Sequence, residues 1–105
     1  MTVISFTVRH HPDDKFGLVT RRGDDAQDFL LNSPRRAVTM AAMTACERVR
    51  ADVRVRLDGD ALVYSVPSTG VQASTDLPGD ADERFLRDVC DTLVDMLVSL
   101  NDAQN

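Results

Sequence analysis

Residues 33–50 read SPRRAVTMAAMTACERVR, and the fold turns on how that stretch is packed. Ser33 ahead of Pro34 is a helix start. The hydroxyl caps a backbone N–H of the first turn, and proline at the first helical position gives up only an N–H that has no intrahelical partner. From Ala37 to Cys46 the only polar side chains are Thr39 and Thr44. A surface helix keeps a wet side, whereas one that is apolar all round is covered on more than one side. Ala41, Ala42 and Ala45 permit a second backbone to approach closely. The apolar run is far shorter than the ~20 residues of a bilayer span. The stretch therefore predicts a helix that packs on a sheet with one side. Its other side meets either the last helix of the chain or a second copy of the protein. Arg35 and Arg36 at one end, and Glu47, Arg48 and Arg50 at the other, mark where it reaches water.

On either side of this helix the apolar period changes from helical to two. Ile4, Phe6 and Val8 alternate with Ser5, Thr7 and Arg9, which predicts a half-buried strand over residues 3–9. The segment 10–14, HHPDD, is a turn, and residues 15–20 form the return strand of a hairpin. A short helix capped by Asp24 or Asp25 is expected to run through Leu31. Beyond the central helix, Val53, Val55 and Leu57 alternate with Arg54 and Arg56. Asp58-Gly59-Asp60 is a hairpin turn, and Leu62, Tyr64 and Val66 line one side of the strand that returns. Residues 71–75 read either as a short edge strand or as a loop. Residues 82–100, capped by Asp80 or Asp82, have helical spacing in Phe85, Leu86, Val89, Cys90, Leu93, Val94, Leu97 and Leu100, and the tail 101–105 is expected to fray. The expected fold is a single α+β domain over residues 1–105. It is an antiparallel sheet of four or five strands, in the order strand, strand, helix, strand, strand, helix, with two main helices on one face.

That order is similar to the layout of the bacterial ribosomal-processing cysteine proteases, which also run hairpin, helix, hairpin, helix. The resemblance implies a histidine in the loop before the first main helix and a cysteine near that helix's start. Here the loop Thr20-Arg21-Arg22-Gly23-Asp24-Asp25 has no histidine, and the helix start Pro34-Arg35-Arg36-Ala37-Val38 has no cysteine. Cys46 lies towards the helix C-terminus, where the dipole disfavours a thiolate. An unrecognised or degenerate enzyme of this layout is thus one reading of the chain, and no catalytic residue is assigned.

Composition limits the other chemistries. Two isolated cysteines, Cys46 and Cys90, fall on apolar helix faces without the CxxC spacing of a zinc site. His10 and His11 with Asp13 and Asp14 offer no nameable third convergent ligand, so no metal is expected. The glycines form neither a phosphate loop nor a dinucleotide fingerprint, and no cofactor is expected. Eleven arginines against one lysine, and fifteen aspartates against two glutamates, match the codon bias of a GC-rich genome, bacterial or phage. No signal peptide, lipidation motif or long apolar run is present, so a soluble, cytoplasmic protein without a membrane partner is expected.

Charge is unevenly divided. Residues 1–56 hold ten basic and seven acidic side chains, net +3. Residues 57–105 hold two basic and ten acidic, net −8, which together give the chain's −5. Arg9, Arg54 and Arg56 on a sheet face, with Arg21, Arg22, Arg35 and Arg36 around the helix start, are candidate contacts for an anion or a partner. A nucleic-acid-binding module using them is the first alternative. The absence of aromatic residues to stack bases, and the acidic total, weigh against it. Met40, Met43, Met96 and Val98 widen the apolar surface of the helices and are candidates for a dimer surface. The function the sequence favours is a small non-enzymatic interaction or regulatory factor that binds a protein partner, foremost a second copy of itself.

Overall fold

A computed structural model of the chain describes residues 3–10, 18–20, 36–77, 79–80 and 82–104. The elements run β1 Val3–Arg9, β2 Leu18–Thr20, α1 Arg36–Val49, β3 Val53–Asp58, β4 Ala61–Val66, β5 Val71–Asp76 and α2 Glu83–Ala103. They form an α+β domain with a five-stranded antiparallel sheet in the spatial order β2-β1-β3-β4-β5. The expected short helix of residues 24–31, the turn 11–14 and the Ser33 cap lie outside the described residues.

Period-two patterning carries the sheet. Phe6, Val55, Tyr64 and Ala73 are direct cross-strand partners and form one row beneath the helices. Val8, Val53, Leu57, Leu62, Val66 and Val71 complete the buried face. Residues 71–75, ambiguous between strand and loop in sequence, belong to β5, which pairs along its whole length with β4. The element order is therefore strand, strand, helix, then three strands and a helix. Gly59 at φ 61° closes the β3–β4 turn and Gly70 at φ 76° closes the next, conformations that cost glycine little.

The two helices cover the same sheet face, α1 beneath β1 and β3 and α2 beneath β4 and β5. They run parallel: the Arg36 end of α1 lies by Glu83 and Arg87, and Arg48 in its last turn reaches Asp95 at 2.7 Å. Three strands between the helices, an odd number, return the chain to the end where α1 began. Small side chains let the helices approach, with Ala41, Ala42, Ala45 and Cys46 buried. Between helices and sheet the Tyr64 hydroxyl donates to the Val38 carbonyl at 2.8 Å. The first of the two partners weighed for α1 is thus present, since sheet and α2 both pack against it.

Asp82 caps α2 by accepting from the Phe85 N–H at 2.8 Å. The helix continues past Leu100, where the sequence pattern ends, because Asn101 is buried against the β4–β5 turn. Residues 101–103 are helical rather than a frayed tail.

Candidate protein-binding face

Among the described residues both helices lie on one face of the sheet, and register decides what stands on the other. Ser5 faces Arg56 and Thr7 faces Arg54 on one side of β3, while Val63 and Ser65 face the same two arginines from β4. Arg9, Arg54 and Arg56 are all exposed on this face, together as their spacing predicts. The face is polar rather than strongly basic: Arg56 meets Asp58 at 3.5 Å, and no aromatic side chain stands among these positions. Arg21, Arg22 and Arg35 lie outside the described residues. Arg36 is exposed at the start of α1 and lines a groove of about 410 Å³ between the helices, with Met40, Thr44, Glu83, Arg87 and Asp91.

The four residues named for a dimer surface do not form one patch. Met43 and Val98 pack partly buried against the core. Met40 stands in the groove between the helices, walled by charged groups. Met96 lies on the opposite side of α2, towards β5.

Around Met96 a row of apolar side chains comes together. At 100° per residue, Phe85, Val89, Met96 and Leu100 fall within about a sixth of the circumference of α2. The buried face, Leu86, Cys90, Leu93, Val94, Leu97 and Asn101, occupies the adjoining arc. Phe85 is 44%, Met96 46% and Leu100 45% exposed, large values for such side chains. Between this row and the edge strand β5 lies a groove of about 330 Å³ lined by Ser74, Thr75, Phe85, Val89, Thr92 and Met96. The sequence reading assigned Phe85 and Leu100 to the packed stripe. The signal that separates them was present: the apolar positions of α2 span an arc wider than one layer of sheet covers.

Thiol chemistry finds little support in the surroundings of the cysteines. Cys46 is buried and its S–H donates to the Val8 carbonyl at 3.7 Å. Burial, with Asp52 and Glu47 nearby, pushes that thiol up to about 11, so it is neutral at physiological pH. Burial likewise raises Cys90, which lies beside the Tyr64 hydroxyl. His10 is held through its backbone N–H, which donates to the Asp52 carboxylate at 2.8 Å. Among the described residues no three of His, Cys, Asp and Glu converge as metal ligands, and no helix is long and apolar enough to cross a membrane.

Comparison with protein-family models, curated proteins and solved structures returns no match.

Proposed function

We propose that the protein is a non-enzymatic interaction module that binds another polypeptide through the α2–β5 face. The observation that carries this reading is the row of exposed Phe85, Met96 and Leu100, with half-buried Val89 among them, beside an edge strand. Exposed apolar side chains scattered singly are ordinary, but a contiguous row bordering a groove marks a contact surface. β5 adds to it: its sequence, VQASTD, holds no proline or lysine and a single charge at its end, so the edge carries little protection against a partner.

The arginine face supports a nucleic-acid reading less well, since Arg56 already faces Asp58 and the neighbours are Ser, Thr and Val.

The test is capture from a lysate of the source organism by the wild type and by a Phe85→Ser, Met96→Ser double variant. Both positions are exposed, so the variant is expected to keep the wild-type urea midpoint. A partner held by the wild type and lost by the variant supports the reading. Equal retention of every captured protein by both overturns it.

A further inference from the structure

Resting on that reading of the α2–β5 face, we infer that its occupant is a basic amphipathic helix of a partner protein, laid alongside α2. Three features of α2 define it. The apolar row extends from Phe85 to Leu100, about 22 Å or four turns, which matches a helix of some fifteen residues. Asp88, Asp95 and Asp102 are exposed along the solvent side of that row at seven-residue spacing, the interval at which two helices lying side by side come back into register. The last turn of α2 contains no basic residue, so the negative end of its dipole is unanswered by its own side chains there.

The rim is acidic beyond these three. Asp76 ends β5, and Asp80 and Asp82 precede α2, all three exposed. Arg84 is the one basic residue of α2 on the solvent flank, and Arg48 from α1 engages Asp95. A partner that places apolar side chains on the row and Lys or Arg along its flank meets Asp88 and Asp102 with opposite charge. A second copy packed antiparallel, α2 on α2, meets them with like charge, because that two-fold sets each acidic flank beside its own equivalent. Charge complementarity thus separates the two occupants that apolar area alone does not.

The experiment uses the full chain and two synthetic helical peptides of about eighteen residues, long enough for the row. Both carry Leu at positions i, i+4, i+7 and i+11. One has Lys on the flanking positions and the other has Glu. Titration calorimetry at low and high salt is expected to show the Lys peptide binding about tenfold or more tightly than the Glu peptide, with the difference shrinking at high salt. The Phe85→Ser, Met96→Ser variant is expected to lose about tenfold for the Lys peptide, and Asp88→Lys with Asp102→Lys to reverse the preference. Equal affinity for both peptides, or binding of neither, overturns the inference. Doubling of the 11.6 kDa mass in light scattering, abolished by the row variant, also overturns it while leaving the interaction reading standing, since the row would then belong to a second copy. Unchanged partner capture by the row variant removes both.

Discussion

At the scale of single residues, Cys46 shows how a buried thiol ties stability to pH. Its folded value is raised to about 11 from an ordinary 9.0 by burial first, then by the Asp52 and Glu47 carboxylates. The fold accommodates the neutral thiol, whereas the unfolded chain ionises it sooner. Its contribution is therefore whole below pH 9 and is lost as pH rises towards 11. A shift of that size corresponds to at most about 2–3 kcal/mol. Cys90 and Tyr64, also raised by burial, act in the same sense. Urea denaturation is expected to give a constant unfolding free energy from neutral pH to about pH 9 and a decline above it, shallower in Cys46→Ala. A flat profile up to pH 11 in the wild type would falsify this assignment. Sequence placed both cysteines on apolar faces, so their burial was legible. The acceptor of Cys46, the Val8 carbonyl 38 residues away, is a product of strand and helix docking that no local pattern encodes.

Among the elements, strands with clear alternation were readable and those without it were not. The rows Val53, Val55, Leu57 and Leu62, Tyr64, Val66 state their inward faces directly, and the structure buries all six. β5 was ambiguous because Gln72, Ser74 and Thr75 lack the branched apolar character that marks a strand, and pairing with β4 supplies what propensity does not. The end of α1 is a second case in which tertiary placement overrides local preference. Arg50 adopts φ 55° and donates its N–H to the Cys46 carbonyl at 2.9 Å, a terminating position that glycine normally fills. Holding a residue with a Cβ there costs about 1–2 kcal/mol, while glycine's extra freedom in the unfolded chain takes back up to about 1 kcal/mol. Arg50→Gly is thus expected to stabilise the protein by about 0.5–1 kcal/mol and to raise Tm by about 2–6 °C in a thermal melt. Arg50→Ala, which keeps the Cβ, is expected to give no such rise. A lower Tm for the glycine variant would show that the Arg50 side chain contributes more than its backbone costs.

Over the whole molecule, one joint ties the far end of the last helix to the sheet, and it was hidden in what sequence presents as a tail. Asparagine near a C-terminus, followed by polar residues, reads as solvated because its burial is decided by a turn 32 residues earlier. The Thr69 hydroxyl donates to Asn101 Oδ1 at 3.0 Å, and the Thr69 and Gly70 N–H groups donate to the Val66 carbonyl. Asn101 itself is buried, directly beyond Leu97 on the packed face of α2. The contact holds the C-terminal end of α2 at the β4–β5 turn, in line with the buried face of Leu86, Cys90, Leu93, Val94 and Leu97 that seats the helix. Asn101→Ala removes that acceptor from the Thr69 hydroxyl, which is exposed and keeps the Val66 carbonyl at 3.4 Å, and is expected to cost about 0.5–1.5 kcal/mol. Ending the chain at Leu100 removes the same group together with the last turn of the helix, and is expected to cost at least as much. The comparison that decides it is urea denaturation of the wild type, Asn101→Ala and the shortened chain. The midpoint should fall in both variants with little change in denaturant slope. Because Asn101→Ala leaves Phe85, Met96, Leu100 and Asp102 in place, a loss of partner binding in that variant reports the placement of α2 and not the chemistry of the row, whereas the shortened chain also lacks Asp102. A shortened chain as stable as the full one would mean that the helix holds its place through Leu93, Val94 and Leu97 alone.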